Sequence, residues 1–280
     1  QTITDWEALW KELYEIKKES QKSSIETPGN NDYWQEKARE FDANVQKRWQ
    51  TPDSSRDTIL KILEPQSTLL DIGAGTGSWS ILFSNLLKRV TALEPSSAMR
   101  DILIEKIQRE KRENIEVVEA TWPDANPGIY DYTFCSHAMY GTPDFRGFVQ
   151  HMIDHTRNMC FLLIRAPSQD GLITEAFKEV WGQPYDSPNF TIAYNILMKM
   201  GIMADVCMEV SSREFFLTSP SLDDAFVELK SRLRLQNDPS HDAFLHDLLL
   251  RRLVKKDGKY CWPGTCPSAL VYWKVNQKKG

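Results

Sequence analysis

The sequence predicts an α/β protein in which helices lie on both faces of a mostly parallel sheet. From residue 67 onward, short apolar runs of strand length alternate with amphipathic stretches of helix length. That alternation is typical of βαβ units with right-handed crossovers. A glycine-rich turn follows the first apolar run and an acid closes the second, which points to a ligand site at one edge of the sheet.

Composition narrows the possible partners and compartments. The chain has 280 residues and a net charge of −5, which fits one elaborated α/β domain or two small ones. Basic residues are not clustered as in a dedicated nucleic-acid binder, so no nucleic-acid partner is expected. No apolar run reaches the ~18 residues that span a membrane, and no secretory signal is evident. Five cysteines without a framework spacing favour a reducing compartment, and we expect the cytoplasm.

Three helices are predicted before the sheet, in an N-terminal segment 1–64. The first begins at residue 6, where large apolar residues have helical spacing, and a polar loop is expected over 17–31. Aromatic residues of this helix are expected to pack, or to form a dimer contact, rather than to bind substrate: Trp6, Trp10 and Tyr14. A second helix is predicted over 32–45 and a third over 54–63.

The central part of the chain supplies most of the predicted sheet. Strands are predicted at 68–72, 90–93, 115–118, 132–135 and 160–164. Helices are predicted between them at 79–88, 98–109 and 145–155. Within a domain 65–280, helical insertions are expected at about 168–205 and 219–256. Two further strands are expected at 206–210, with 215–217 as a candidate extension, and at 270–274.

The glycine-rich turn is the most informative stretch. Residues 68–77 read TLLDIGAGTG, so an apolar strand runs into three glycines before a helix opens. Glycine permits positive φ and lets a ligand approach without a Cβ in the way, and a helix N-terminus offers N–H groups. Glu94 closes the next strand, and an acid about 20 residues after such a turn can accept hydrogen bonds from both hydroxyls of a ribose. The unit predicts a nucleoside cofactor.

The glycine spacing discriminates between nucleoside cofactors. A dinucleotide turn reads G-x-G-x-x-G, and Ser78 occupies the place of its third glycine. The run D-x-G-x-G-x-G from Asp71 to Gly77 instead resembles the first motif of class I S-adenosylmethionine-dependent methyltransferases, and Glu94-Pro95-Ser96 resembles their second. Residues 33–42 and 130–137 resemble motifs of the small-molecule branch that is similar to ubiquinone and menaquinone methyltransferases. The resemblance covers roughly residues 30–165.

This resemblance implies a Rossmann-like three-layer sandwich, with a mostly parallel seven-stranded sheet, an antiparallel last strand and an N-terminal helical lid. It implies that Asp71 and the glycine turn hold the methionine part of S-adenosylmethionine, that Glu94 binds the ribose and that Met99 lies beside the adenine. An Asp often found after the third strand is not evident, and the nearest acid is Glu119. The implied cofactor-binding residues are Asp71, Gly73, Ala74, Gly75, Gly77, Glu94, Pro95, Met99, Ala120, Thr121, Trp122, Ser136, Tyr33 and Trp34.

The N-terminal aromatic residues have two interpretations. Tyr33, Trp34 and Phe41 either close over the cofactor as a lid or belong to an amphipathic helix that packs on the sheet. Both interpretations stay open at this point.

Candidate catalytic residues follow the fourth strand, at the carboxyl end that borders the ligand crevice of an open sheet. His137 is a candidate base or orienting group, because an imidazole exchanges a proton near neutral pH, and Tyr140 is the second candidate. Ser136 and Met139 are candidate substrate contacts, and Arg165 either meets an anionic substrate or pairs with a local acid. Methyl transfer from a sulfonium requires alignment and exclusion of water, and it requires a base only when the acceptor is protonated.

No metal site is predicted. Cys261 and Cys266 have a gap that zinc half-sites can use, but no second pair of ligands follows, so we expect a turn before the last strand. His151 and His155 lie one helical turn apart without an acidic or cysteine partner, and we expect them on a solvated face.

Three functions remain open from the sequence. The first is a methyltransferase for a small-molecule acceptor, monomeric or homodimeric, with the insertion at 219–256 as a candidate acceptor pocket. The second is a methyltransferase that acts on a protein or RNA, which the acidic composition disfavours. The third is an NAD-binding reductase, which the glycine spacing disfavours, or a non-catalytic nucleoside-binding protein. No motif specifies the acceptor or the methylated atom, whether O, N, C or S.

Overall fold

The structure is a computed structural model that describes residues 4–23, 34, 35, 37–167, 171–182, 184–209, 215–263 and 267–275. The chain divides into two compact units. The first comprises Gln1–Ile164, Ile192–Glu209 and Ala269–Gly280, and the second comprises Arg165–Thr191 and Val210–Ser268. The N-terminal helices therefore fall in the same unit as the central strands.

Helices and strands alternate through the described part of the chain. The helices are α1 (Trp6–Ser23), α2 (Ala38–Trp49), α3 (Ser54–Ile62), α4 (Ser78–Ser84), α5 (Ser97–Arg109), α6 (Phe145–Asp154), α7 (Leu172–Trp181), α8 (Phe190–Lys199), α9 (Leu222–Leu233) and α10 (Asp242–Arg252). The strands are β1 (Thr68–Ile72), β2 (Arg89–Leu93), β3 (Ile115–Val118), β4 (Tyr130–Ser136), β5 (Thr156–Arg165), β6 (Asp205–Glu209), β7 (Phe215–Ser219), β8 (Val254–Lys256), β9 (Lys259–Pro263) and β10 (Ser268–Lys274).

The main sheet has seven strands in the order β3-β2-β1-β4-β5-β10-β6. Strand β1 lies between β2 and β4 and runs parallel to both, with Asp71 opposite Ala92 on one side and Phe134 on the other. The last strand, β10, is antiparallel, so the predicted fold class is confirmed. Since the carboxyl ends of parallel strands meet at one edge, the residues after β1, β2 and β4 are brought together there.

A buried apolar cluster attaches helices to the main sheet. It joins Ile59 of α3 and Phe83 of α4 to Phe134 and Phe161 of the central strands, and all four side chains are fully buried. The rings of Phe83 and Phe134 meet edge to face with centroids 5.1 Å apart. Burial of each such side chain contributes roughly 1.5–3 kcal/mol, which makes this cluster a rigid base for the loops at the sheet edge.

Helix α1 packs through Trp10, which is fully buried. Its indole N–H donates to the carbonyl of Thr142 at 3.0 Å, and its ring lies 4.4 Å from that of Phe145, centroid to centroid. The expectation that Trp10 is a packing residue is confirmed. The helix continues to Ser23, so the prediction of a loop from residue 17 onward is wrong for its first part. The polar run after residue 17 is rich in Glu, Lys and Gln, which favour helix.

The second unit has its own core. Helices α7, α9 and α10 bury apolar side chains around Trp262, which is fully buried. A three-stranded sheet in the order β7-β9-β8 belongs to this unit. The helical insertion expected at about 168–205 is interrupted after Trp181, where Gly182 adopts φ +69° as a C-cap, and Pro184 and Pro188 follow in the sequence.

Two sequence predictions on these strands are wrong. Residues 215–217 belong to β7 and pair with β9, so they do not extend the strand at 206–210. Cys261 lies in β9, a strand rather than a turn, while Cys266 lies outside the described residues. The sequence signal for the β8–β9 hairpin is Asp257-Gly258, a pair that is typical of two-residue turns. These residues have φ values of +50° and +74° and connect β8 to β9.

Candidate active site

The glycine turn lies at the carboxyl edge of β1. Its first N–H groups, those of Gly73 and Ala74, donate to the carbonyl of Leu93 at 2.8 and 3.0 Å, which anchors the turn on β2. A Cβ on Gly77 would lie 2.1 Å from Leu103 Cδ1, whereas a Cβ on Gly75 would meet nothing within 4 Å. The turn is therefore closely packed at its end and open at its middle.

Glu94 is bonded to this open middle. Its carboxylate is buried, with the residue 6% exposed, and it accepts the Gly75 N–H at 2.8 Å and the Ser96 N–H at 2.9 Å. The acid predicted from β2 and the turn predicted from β1 thus form one site. Pro95, which follows, is exposed.

Asp71 lies beneath the turn and is 1% exposed. The hydroxyl of Ser80 donates to its carboxylate at 2.6 Å. The pKa of Asp71 is raised to about 7, chiefly by burial; the Ser80 hydrogen bond opposes this shift, and the neighbouring charge of Glu94 adds to it. This carboxyl group therefore titrates in the neutral range.

The two catalytic candidates are brought together after β4. The ring of His137 lies 6.0 Å from that of Tyr140, centroid to centroid, and His137 Nδ1 is 3.4 Å from Tyr140 Oη. His137 is exposed and has φ +58°, which is uncommon for a residue with a Cβ. Its N–H donates to the carbonyl of Leu163 at 3.0 Å. Ser136, the last residue of β4, is half-buried.

The loop that carries these candidates touches the glycine turn. A Cβ on Gly73, which has φ +69°, would lie 2.3 Å from the Cβ of Ala138, so only glycine permits this approach. Helix α1 reaches the same loop, because the ring of Trp10 lies 6.5 Å from that of Tyr140 and the Lys17 ammonium lies 5.2 Å from the Tyr140 ring centre. Met139, in contrast, is fully buried.

Helix α2 packs on α5 through aromatic side chains. The rings of Trp34, which precedes α2, and Phe41 lie 5.1 Å apart, centroid to centroid, and pack against the buried cluster of Ala38, Met99 and Ile102. The described contacts of α2 include α5, Trp79 of α4 and the glycine turn. Tyr33 lies outside the described residues.

The segment after β3 holds the other predicted adenine contacts. Ala120 is half-buried and Thr121 is exposed. Glu119 points to Arg100, whose guanidinium lies 2.7 Å from it and also donates to the carbonyls of Glu94 and Pro95. The ends of β2 and β3 are therefore bridged by Arg100.

Trp122 is buried on α6. Its indole N–H donates to the carbonyl of Phe148 at 3.3 Å, and its ring lies 4.3 Å from that of His151. His155 is 8% exposed and His151 Nε2 lies 2.7 Å from the Ala125 carbonyl. The expectation that these two histidines lie on a solvated face is wrong, because the loop that begins with Trp122 covers them.

Arg165 donates a hydrogen bond to the hydroxyl of Ser187, within the second unit.

Among the residues with described positions, no group of three or more His, Cys, Asp or Glu side chains is arranged to hold a metal ion. None of the helices in these same residues combines the length and apolarity of a membrane span.

Two residues at this site were missed by the sequence analysis. Lys106 of α5 is 4% exposed and donates to the Thr76 carbonyl at 2.9 Å and to the carboxylate of Asp42 in α2. Asp42 also accepts a hydrogen bond of 2.7 Å from the Thr76 hydroxyl. The available signal is the helical spacing that places Lys106 on the same face of α5 as Met99 and Leu103, where an apolar residue is expected.

The fold is that of a class I methyltransferase. It is defined by the strand order, by the glycine turn after β1 and by the acid at the end of β2, where such enzymes bind their cofactor. A family model described as a methyltransferase domain matches residues 33–192, which is more than half of the chain. The chain therefore belongs to the methyltransferase family. It is a class I methyltransferase enzyme, and its cofactor is S-adenosylmethionine.

Solved structures show the same fold at low sequence identity. A provisionally assigned methyltransferase from Bacillus halodurans C-125 is 13% identical, with a TM-score of 0.56, over 80% of this chain and 99% of that chain. The YcgJ protein of Bacillus subtilis is 14% identical, with a TM-score of 0.51, over 80% of this chain and 99% of that chain.

One curated relative matches a limited segment. A probable ribosomal RNA small subunit methyltransferase A from Methanosphaera stadtmanae is 32% identical over 81 residues, which is 28% of this chain. The match spans 30% of that relative's length.

Proposed function

We propose that this enzyme transfers a methyl group from S-adenosylmethionine to a small-molecule acceptor by in-line displacement at the carboxyl edge of β1, β2 and β4. The observation that carries the proposal is the hydrogen bond from Gly75 to Glu94 beside the open middle of the turn. Glu94, the acid that would bind the ribose, therefore lies next to backbone that a ligand can approach. The cofactor supplies an electrophilic methyl group on a sulfonium when it is bound.

The residues fit the parts of this cofactor in order. The turn from Gly73 to Gly77, including Ala74, would hold the methionine part, above the Asp71 carboxyl group. Glu94 and Pro95 would hold the ribose. Met99, which begins the buried face of α5, would flank the adenine, with the segment Ala120–Thr121–Trp122 on its other side. Trp34 would cover the site as a lid.

His137 and Tyr140 would act on the acceptor, with Ser136 lining the cofactor side. Their mutual contact at 3.4 Å allows Tyr140 to orient the imidazole, which can then accept a proton from a protonated acceptor. Helix α1 covers Tyr140 with Trp10 and Lys17, and this cover would exclude water from the acceptor. The net charge of −5 favours a small acceptor over a polyanion.

RNA is the second candidate acceptor, and the match to the probable ribosomal RNA methyltransferase is the observation that favours it. The match includes less than a third of either protein, and the acidic balance of this chain opposes strong phosphate binding.

Calorimetry with S-adenosylhomocysteine and with NAD, followed by transfer of a labelled methyl group to small-molecule pools and to ribosomal RNA, tests the proposal. We expect S-adenosylhomocysteine to bind, NAD not to bind and label to enter the small-molecule pool. Label in RNA alone would replace the proposed acceptor, and binding of NAD without S-adenosylhomocysteine would contradict the cofactor site.

A further inference from the structure

We propose that Lys106 and Asp42 are positioning residues for the cofactor: together with Thr76 they form a buried network through which α2 sets the conformation of the glycine turn. The inference rests on the proposed placement of the cofactor at this turn. It adds to that placement a dependence of cofactor affinity on the docking of the N-terminal helix α2.

The network bonds to Thr76, the residue that follows the open middle of the turn. Thr76 stands between Gly75 and Gly77, and both its carbonyl and its hydroxyl take part. Lys106 Nζ donates to the carbonyl at 2.9 Å and lies 3.4 Å from the hydroxyl oxygen, while the Thr76 hydroxyl donates to Asp42 at 2.7 Å. Lys106 and Asp42 are themselves an ion pair. Thr76 is 2% exposed and the Asp42 side chain is 18% exposed, so these bonds are largely shielded from solvent.

Stability alone is a weak reason for such an arrangement. A buried ammonium loses its hydration, and replacement of a buried ion pair by apolar side chains of similar volume is often neutral or stabilising. An apolar side chain at 106 would suit the face of α5 that also buries Met99 and Leu103, but it could not donate to the Thr76 carbonyl. The specific contribution of the ammonium is to fix the peptide between Thr76 and Gly77.

The same helix carries a second element of the proposed cofactor site. Phe41 precedes Asp42 and packs, with Trp34, against the buried cluster of Ala38, Ile102 and Met99, the proposed neighbour of the adenine. One docking event of α2 on α5 therefore aligns the turn through Asp42 and places the aromatic cover through Phe41. We infer that the cofactor binds with full affinity only when α2 is docked.

The test compares Lys106→Met, Asp42→Leu and the double variant in the full chain, with S-adenosylhomocysteine affinity measured by calorimetry and Tm by thermal unfolding. Each single variant should bind about tenfold more weakly and unfold at a lower temperature, because one buried charge is left without its partner. The double variant should regain most of the lost Tm, since the remaining charge is removed, but its affinity should stay about tenfold weaker. A purely structural pair would recover affinity and Tm together, and that result overturns the inference.

A matched control exists on the same two helices. Arg39 of α2 and Glu105 of α5 form an exposed ion pair at 3.0 Å that does not reach the turn. The double variant Arg39→Ala, Glu105→Ala should keep its affinity within about twofold; an equal loss there would overturn the specific role of Lys106.

Glu94→Ala separates the two proposals. Unchanged affinity in Glu94→Ala means that the cofactor placement itself fails, whereas a loss in Glu94→Ala with none in Lys106→Met overturns the network alone.

Discussion

Glu94 accepts a 2.8 Å hydrogen bond from the backbone N–H of Gly75, so the acid that ends β2 is bonded to the middle of the turn that leaves β1. This bond joins two motifs that lie 19 residues apart in the chain. It fixes the carboxylate beside the point where a Cβ would meet nothing within 4 Å.

Replacement of Glu94 by Ala should weaken binding of S-adenosylhomocysteine by about 1–3 kcal/mol, the loss expected when hydrogen bonds to a charged acceptor are removed. Calorimetry on the folded variant measures it. Glu116→Ala is the control, because Glu116 is an exposed acid on the neighbouring strand β3 and should bind as the unchanged protein does. Wild-type affinity in Glu94→Ala would remove Glu94 from the cofactor site.

Stability of the cofactor-free protein should fall as the pH rises from about 4 to about 7. Burial raises the pKa of Asp71 from 3.8 to about 7, so across this window the folded state holds a proton that the unfolded state has released. The Asp71 contribution is therefore fully present below the unfolded pKa and is lost as the pH passes the folded pKa, with a slope approaching about 1.4 kcal/mol per pH unit.

Denaturant unfolding of wild type and Asp71→Asn at several pH values isolates this contribution. The difference between their unfolding free energies should change across the window and level off above it. Parallel curves for the two proteins would show that Asp71 is ionised throughout, and would contradict the pKa shift.

His137→Ala should lower kcat by roughly 10²-fold or more if the imidazole removes a proton from the acceptor, while the Kd for S-adenosylhomocysteine changes little. Steady-state kinetics with the identified acceptor, together with calorimetry, separates the two effects. His246→Ala, at an exposed position of α10, serves as the control. Turnover equal to that of the wild type would assign His137 to the structure of the loop alone.

Replacement by alanine should have different effects at two glycines of the turn. In Gly77→Ala the new Cβ meets Leu103 Cδ1 at a φ of +80°, so we expect a loss of about 2–5 kcal/mol in unfolding free energy. In Gly75→Ala the φ of +55° costs about 1–2 kcal/mol, but the methyl group enters the open space and should weaken cofactor binding most. Denaturant unfolding and calorimetry on both variants measure the contrast. If Gly75→Ala binds as tightly as wild type, the cofactor does not approach Gly75.

Local patterns in the sequence were sufficient for the central fold. The apolar run 68–72, its glycine turn and the following helix depend on residues within a few positions of one another, and the fold class follows from their alternation with further strands. The pair Asp257-Gly258 is an equally local signal, because it is typical of the two-residue turn of a hairpin. The helix break after Trp181 had local signals too, in Gly182 and the two prolines that follow.

Other features depend on packing between distant segments. His151 and His155 have the spacing of a solvated helix face, but Trp122 and the loop behind it cover them. No local pattern shows that cover, because it depends on where the loop after β3 lies against α6. Glu119 likewise pairs with Arg100, 19 positions earlier, because the ends of β2 and β3 are adjacent in the sheet.

The sequence by itself determined the parallel sheet, the glycine turn and the acid that follows it, since hydrophobic period and backbone freedom are local properties of the chain. The tertiary structure alone decided that Lys106 meets Asp42, 64 positions away, and that both bond to Thr76. Such a pairing depends on which face of α2 docks on α5. The face of α2 that docks on α5 depends on the combined burial of many side chains, rather than on any one motif.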